Sequence, residues 1–238
     1  MEEELEPLMA DTEYERYLRT DELLRLQKPA EERAHPDELQ FQVVHQVSEL
    51  WMKLIAHEIE QVAGLLARDQ PVAAAFPLER ANAVLDLLQQ QLSLLRTMSP
   101  WSYHSIRRTL GHGSGMDSPG YRQILSGVPG LWRAFEALLR RQNVDLEAVY
   151  VEMDRYSALF RLAEGLISYD EGLRRFQYEH LRVTQRTIGL GVLGTGGTAV
   201  QDLERGLGRS FMPALWEVRD RLTARATQSE EWGREPHS

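Results

Sequence analysis

The sequence predicts an all-α fold: a single domain built on a bundle of long antiparallel helices. Three observations lead to this prediction. Apolar residues recur at helical spacing, most clearly from Phe41 to Glu58. Residues that favour helix starts stand ahead of such runs, as at Ser99 and Pro100. The 238 residues contain no internal repeat and no linker long enough to divide the chain into separate domains.

The N-terminal part of the chain is expected to hold two long helices. Residues 1–12 are expected to form a mobile N-terminus, and a short amphipathic segment follows from Tyr14 to Leu26. Pro36 is suited to the first turn of a helix that extends to about Ala67. A second long helix is predicted from about Leu78 to Met98.

A third, short helix is predicted next. Ser99 is its expected N-cap, Pro100 lies in its first turn, and Gly111 is expected to end it. Residues 112–120 form a loop by composition. The helical pattern then resumes in three stretches, at about Tyr121–Leu125, Leu131–Gln142 and Leu146–Glu164.

Ser168 and Glu171 have the spacing of a capping box, which predicts a helix over about 169–188 with His180 near its middle. A glycine-rich loop follows at 189–197.

The final helix is predicted from about Ala199 to Arg225, with a kink at Pro213. These boundaries give one domain over residues 13–225 and a disordered tail over 226–238.

Composition limits the class of protein. The chain is 42% hydrophobic with a mean hydropathy of −0.41, and no apolar run is long enough to cross a bilayer. Its acidic N-terminus does not resemble a signal peptide. The absence of cysteine excludes disulfides, thiolate metal sites and a cysteine nucleophile. A net charge of −9 argues against nucleic acid as a partner. These features favour a cytoplasmic protein without a membrane or nucleic-acid partner.

Two histidines lie inside helices that should form the bundle. His45 shares a helix face with Phe41, one turn earlier, and His180 lies mid-helix. A core helix has little reason to carry an imidazole unless a partner satisfies it. A hydrogen-bonded structural histidine is one interpretation, and an axial ligand for haem iron is the other. A dinuclear iron site is disfavoured, because the chain has no Glu-x-x-His motif.

Two further groups could bind a small anion. Tyr103 and Arg107 are one turn apart, so that a hydroxyl and a guanidinium could hold a carboxylate; the alternative is a surface pair. The glycine-rich loop could bind a flat or small ligand through its backbone, with Thr195 or Thr198 offering a hydroxyl. It could equally be a simple connection between helices.

Four blocks of the sequence, taken together, resemble the tryptophan 2,3-dioxygenase family. The resemblance covers about residues 13–222. The blocks are YERYLRTDELLRLQ (14–27), DELQFQVVHQVSELWMKLIAHE (37–58), SYHSIRRTLGHGSG (102–115), and FQYEHLRVTQRTIG with GTGGT (176–198).

The resemblance implies roles for particular residues. His180 matches the proximal ligand of the iron in haem b. His45 matches the distal, catalytic histidine that faces the indole N–H, and Phe41 matches the aromatic residue that packs on the indole. Tyr103 and Arg107 match the pair that grips the substrate carboxylate.

Further matches concern the edges of the site. Thr195 matches the loop threonine that contacts both ends of the amino acid, and Ser114 and Gly115 fall in the loop over the haem edge. Tyr14, Tyr17 and Leu18 match residues that reach a neighbouring active site. The family's enzymes are homotetramers, so the resemblance implies an oligomer, most simply a homotetramer.

The resemblance implies an oxidoreductase that uses haem and O2. We expect 2,3-dioxygenation of L-tryptophan to N-formylkynurenine, the entry to the kynurenine pathway. The alternative is a monooxygenase that inserts one oxygen at indole C2 of tryptophan or a β-substituted tryptophan. A haem-binding sensor or a catalytically silent scaffold is a third possibility, which the combination of Tyr103, Arg107 and Thr195 disfavours.

The chain departs from the family pattern in several regions, including a missing lysine before the glycine-rich loop and an apparent extra residue in Leu190–Leu193. It is shorter, with the loss concentrated between about Ser126 and Ser168. The family's loop Ser-Ser-Gly-Phe-Gln-Ser is replaced by Gly-Ser-Gly-Met-Asp-Ser at 113–118. The change at 113–118 lies beside the expected substrate and haem, so it bears on the choice between one and two inserted oxygen atoms.

Overall fold

A computed structural model of the chain describes residues 12–111, 113, 115–192, 207 and 209–228, except the side chains of Met116 and Gln228. The predicted all-α class is confirmed, and there is no strand in this described part. The helices are α1 (Glu13–Leu18), α2 (Thr20–Leu23), α3 (Glu38–Ala67), α4 (Pro71–Leu95), α5 (Pro100–Arg107), α6 (Pro119–Arg141), α7 (Leu146–Val151), α8 (Ser157–Ile188) and α9 (Pro213–Gln228).

The long helices form the bundle. Helix α4 packs between α3 and α8, while α6 packs on α3. Only Arg68–Gln70 separate α3 from α4, and Asp69 adopts a positive φ of 56° there, so the chain turns back sharply. Short connections of this kind make consecutive helices antiparallel neighbours. The core is mostly leucine, isoleucine and valine, with Phe135 and Tyr169 as its largest fully buried side chains.

Helix α3 ends at Ala67 as predicted, but Pro36 does not begin it. Pro36 lies in the preceding turn, in which His35 O accepts a hydrogen bond from Glu38 N at 2.9 Å. The first helical residue is the buried Glu38, whose carboxylate accepts hydrogen bonds from Lys28 Nζ and Ala34 N, each at 2.7 Å.

Two prolines lie inside helices, contrary to prediction. The second long helix was expected to start after Pro77, and the helical pattern was expected to be interrupted around Pro129. Helix α4 begins at Pro71 instead of about Leu78 and continues through Pro77, which is buried in the core. Helix α6 runs unbroken through Pro129. A proline removes one helical hydrogen bond, and packing of the flanking apolar residues offsets that loss in both helices.

The predicted capping box at Ser168 is wrong. Helix α8 already begins at Ser157, and Ser168 Oγ instead donates to Glu164 O, one turn earlier, at 3.0 Å. The helix predicted over 146–164 is two helices in the structure, because α7 ends at Val151 and α8 begins at Ser157. His180 nevertheless lies within a long helix, as expected.

The C-terminal helix also differs from its prediction. Pro213 is the first residue of α9, so it does not kink a helix that passes through it. The predicted start at Ala199 lies outside the described residues. Buried Asp170 fixes the approach to α9, since its carboxylate accepts hydrogen bonds from Phe211 N at 2.6 Å and Met212 N at 2.9 Å.

The third helix agrees closely with its prediction. Ser99 Oγ accepts a hydrogen bond from Ser102 N at 3.0 Å, and Pro100 lies in the first turn. Helix α5 ends at Arg107, and Gly111 follows with φ of 58°, a left-handed conformation that suits glycine. The predicted ends, 1–12 and 226–238, lie mostly outside the described residues. No helix in the described part is long and apolar enough to cross a membrane.

Candidate functional site

Helices α3 and α8 bring His45 and His180 to the same cavity, which has a volume of about 250 Å³. Its walls combine apolar side chains with a few polar groups. The lining residues are Val44, His45, Ser48, Glu49, Met52, Leu92, Leu95, Gly115, Ser118, Tyr121, Phe176, Gln177, His180 and Leu207. The two imidazoles predicted from sequence therefore share one site.

The backbone of its own helix orients His45. His45 Nδ1 lies 2.7 Å from Phe41 O, and the ring of Phe41 is 4.1 Å from the imidazole, centroid to centroid. Because a carbonyl oxygen only accepts, Nδ1 carries the hydrogen and Nε2 is left with a lone pair. Burial lowers the pKa of His45, although the bond to Phe41 and the nearby Glu49 act in the opposite direction. A neutral imidazole results.

His180 is also neutral. Burial, with a smaller contribution from His45, lowers its pKa to about 4. The ring of Phe176, one turn earlier on α8, stacks on the imidazole at 6.3 Å. A neutral imidazole at a bundle cavity has the donor chemistry that haem iron requires.

Gly115 lies against Nε2 of His180. A Cβ atom at position 115 would be 3.1 Å from His180 Nε2. Any side chain there would compete for the space beside the atom that a metal would take. The donor set and this glycine fit a haem ligand at His180.

Glu49 joins the two sides of the cavity. Its carboxylate accepts hydrogen bonds from Ser118 Oγ and, at 2.9 Å, from Gly120 N at the start of α6. A Cβ atom at position 120 would lie 2.6 Å from Glu49 Oε2, so the close approach requires glycine. Glu49 thereby ties the turn that contains Gly115 to the helix that carries His45.

Sequence reasoning assigned no role to Glu49 or to several other residues that line the cavity. Tyr121 and Gln177 are the clearest omissions, since Gln177 Nε2 donates to the Tyr121 hydroxyl at 2.7 Å inside the cavity. Gln177 and Phe176 precede His180 by three and four residues, so the helical period alone could have placed them on the same face.

Phe41, Tyr103 and Arg107 are not part of the cavity lining, although Phe41 contacts the lining residue His45. The rings of Phe41 and Tyr103 are 6.1 Å apart. Burial raises the pKa of the half-buried Tyr103 hydroxyl, and Arg107 opposes this effect. Arg107 also borders a separate open depression with Trp101, His104 and Arg108. Phe41 therefore lies beside His45, Tyr103 lies near Phe41, and Arg107 acts on Tyr103 from the same helix.

The three predicted residues of α1 are not brought to the cavity. Tyr14 and Tyr17 on α1 are 68% and 87% exposed, Leu18 is also exposed, and none of the three lines the cavity. Ser114 and Thr195 lie outside the described residues. No cluster of three or more histidine, cysteine, aspartate or glutamate side chains that could hold a metal ion occurs in the described part of the chain.

Fold and site together define a class: all-α bundles that enclose a cavity between the side chains of facing helices. The sequence profile of the tryptophan 2,3-dioxygenase family matches residues 4–128 and 137–222. The chain belongs to the tryptophan 2,3-dioxygenase family.

Individual relatives carry the same family name. The chain is 32% identical to a tryptophan 2,3-dioxygenase of Saccharopolyspora erythraea over an alignment of 266 positions, gaps included, which covers 90% of this chain and 94% of that protein. It is 32% identical to the enzyme of that name from Xanthomonas campestris, covering 87% and 86% of the two chains. For the one from Bacillus anthracis, identity is 30% and coverage is 88% and 92%.

The break in the profile match falls on α6. Residues 129–136 lie between the two matched stretches, within the region in which the sequence suggested a loss. The first alignment has 266 positions, more than the 238 residues of this chain, so that relative carries segments absent here.

Proposed function

We propose that this protein is a haem-dependent oxygenase that adds both atoms of O2 across the indole C2–C3 bond of L-tryptophan, giving N-formylkynurenine. The observation that carries the proposal is the pair of neutral imidazoles, His45 and His180, at one largely apolar cavity. The names of the relatives support insertion of two oxygen atoms. None of those names supports the alternative of single-oxygen insertion.

His180 would hold the haem iron through Nε2. Its low pKa keeps the imidazole unprotonated and able to donate a lone pair at neutral pH. Bound haem would supply the iron chemistry that lets O2 react with an organic substrate. Gly115 contributes by leaving the space beside Nε2 without a side chain.

His45 and Phe41 would position the indole. Since Nδ1 of His45 donates to the Phe41 carbonyl, its Nε2 can accept a hydrogen bond from the indole N–H. The ring of Phe41 lies against His45 and offers an aromatic face to the substrate ring. Burial of the indole among apolar walls excludes water from the reacting carbons and stabilises binding by about 25 cal/mol per Å².

Tyr103 and Arg107 would bind the polar end of the amino acid. A guanidinium pairs with a carboxylate through two hydrogen bonds, and a tyrosine hydroxyl adds a third donor. With Thr195, which would contact the ammonium and carboxylate groups, they fix the direction of the amino acid. This orientation determines which indole carbons face the oxygen.

We also propose that the working form is a cytoplasmic homotetramer. Helix α1 buries none of its residues in its own chain, and Tyr14 and Tyr17 are the most exposed of its large side chains. Exposed leucines and a valine on α3 add an apolar stripe, formed by Leu39, Val43, Leu50 and Leu54. Contact with neighbouring subunits would cover both surfaces, with Tyr14, Tyr17 and Leu18 completing a neighbour's active site.

One assay tests the reaction. The reduced, haem-loaded protein is given L-tryptophan and 18O2, and the product mass is recorded. A gain of two labelled oxygen atoms with the absorbance of N-formylkynurenine supports the proposal. A gain of one atom identifies the oxindole-forming alternative, and a lack of any product contradicts both.

A second experiment tests the iron ligand without relying on turnover. His180→Ala should abolish the Soret band of the purified protein, whereas His57→Ala should retain it, because His57 is exposed on the same helix as His45 and lies outside the cavity. An undiminished Soret band in the His180 variant would exclude His180 as the ligand.

A further inference from the structure

A second cavity of about 250 Å³ lies between α3 and α6, apart from the one that contains His45 and His180. Small residues keep it open on both helices, namely Ala56 and Ala63 on α3 and Gly127 and Gly130 on α6. Apolar side chains, including Ile59, form much of the remaining wall. None of the residues that line it belongs to the proposed active site.

Tyr169 of α8 forms the inner end of this cavity. Its side chain has no exposed surface, and its hydroxyl has no hydrogen-bond partner among the described residues. Helix α8 packs mainly on α4 and not on the two helices that form the cavity walls. The part of Tyr169 that reaches those walls is therefore the outer end of the phenol, where the hydroxyl is.

An unpartnered hydroxyl in a buried site is unfavourable, since it has lost its hydrogen bonds to water. Burial also raises the pKa of the Tyr169 hydroxyl, which therefore keeps its proton and can both donate and accept. Because this hydroxyl has no surface accessible to water, the side chains beside it must shift slightly before a molecule in the cavity supplies the missing partner. At the mouth, the exposed Glu60 and Gln123 leave the outer end polar.

We propose that the cavity between α3 and α6 binds a small, flat, mostly apolar molecule whose single polar group pairs with the Tyr169 hydroxyl. An engineered apolar cavity of about 150 Å³ holds benzene, so a volume of about 250 Å³ suits a bicyclic ring. Gly130 and Leu131 fall in the break between the two stretches that match the family profile. The site therefore rests on this chain's own α6 and is independent of the proposed reaction.

Indole is the probe, because it is flat, bicyclic and has one N–H group. Its binding to the haem-loaded protein is measured by calorimetry and located by soaking crystals. Gly127→Leu should fill the cavity, since a Cβ there meets only Ile59 Cγ2, at 3.9 Å, and the helix backbone need not move. We expect binding at this site to weaken at least tenfold. Gly64→Leu, on α3 but outside the cavity, is the matched control and should leave it unchanged.

Tyr169→Phe gives a second, independent measurement. Removing one hydrogen bond should weaken indole binding about three- to tenfold. Without ligand, the same variant should melt at the same temperature as the wild type or higher, because an unsatisfied buried hydroxyl is lost. Binding that is equal in wild type, Gly127→Leu and Tyr169→Phe would overturn the proposal. A lowered melting temperature for Tyr169→Phe would also overturn it, by revealing that the hydroxyl already has a partner.

Discussion

Glu49 Oε2 accepts a hydrogen bond from Gly120 N at 2.9 Å, across 71 positions of the chain. The same carboxylate accepts from Ser118 Oγ, which caps α6 through Tyr121 N. One side chain of α3 therefore satisfies the positive end of α6 and fixes the turn that carries Gly115. Carboxylates are stabilising at helix N-termini, and hydrogen bonds to charged groups are the stronger ones.

Glu49→Ala should loosen that turn and lower the free energy of unfolding by about 1.5–3 kcal/mol, because two donors lose a charged acceptor. Urea denaturation measures the loss, and hydrogen exchange of the amides at 115–120 shows where it arises. Glu60→Ala, an exposed glutamate on the same helix, should change stability little. Equal effects of the two substitutions would exclude the anchoring role of Glu49.

Arg107→Ala should raise the KM for L-tryptophan at least tenfold, which is about 1.4 kcal/mol, and leave the Soret band intact. The reason is that the guanidinium is proposed to pair with the substrate carboxylate, whereas the haem is held from α8. Steady-state kinetics and the absorption spectrum check both parts. Arg108→Ala provides the control, since Arg108 is the exposed neighbour. A normal KM in the Arg107 variant would contradict the carboxylate role.

The haem-free protein should lose stability as the pH falls from about 6.5 to 4. His180 has a pKa of about 4 when folded and 6.5 in its unperturbed state, so the unfolded chain binds the proton more tightly. The stabilisation is present above pH 6.5 and disappears as the pH falls toward 4, amounting to about 3 kcal/mol. Denaturation at a series of pH values measures it, and His180→Leu should flatten this part of the profile. An identical slope in both proteins would show that other groups cause it.

Asp170→Asn should weaken the attachment of α9 to α8. The carboxylate, which has no exposed surface, accepts hydrogen bonds from two backbone amides and from Trp216 Nε1. An amide can replace only part of this acceptor capacity, and we expect a loss of about 2–4 kcal/mol. Limited proteolysis within α9 should accelerate.

Asp86→Asn is the comparison for that variant. Asp86 pairs with Arg175 at 3.6 Å on the surface, where an ion pair contributes about 0–1 kcal/mol. If cleavage in α9 is no faster in the Asp170 variant than in the Asp86 variant, the hydrogen bonds of Asp170 do not hold α9 in place.

Local patterns predicted those parts of the fold that depend on residues close together in sequence. The N-cap at Ser99 and the end of α3 at Ala67 agree with the structure. The predictions that were wrong concern serine and proline, which can occur either at the start of a helix or inside it. Ser168 has capping-box spacing, but its hydroxyl bonds back to Glu164 O inside α8. Pro77 and Pro129 lie within helices because tertiary packing outweighs the local cost of proline.

Helical periodicity predicted the contacts of the candidate site that lie within one helix. The period places Phe41 next to His45, and the structure finds their rings 4.1 Å apart. Periodicity cannot indicate which residues of different helices meet. The contacts of Glu49 with Gly120 and of Gln177 with Tyr121 connect positions far apart in sequence. Neither could be inferred without the packing of α3 and α8 against the start of α6.

A single unbroken helix, α3, contributes His45 and Glu49 to one cavity and Ala56 and Ala63 to the other. An α-helix turns by about 100° per residue. Inserting or deleting one residue between Glu49 and Ala56 would therefore rotate one set of side chains away from its cavity while the other stayed in place. Geometry therefore fixes the number of residues between the two sets. Substitutions can alter the side chains of either cavity, provided that the length of this segment is kept.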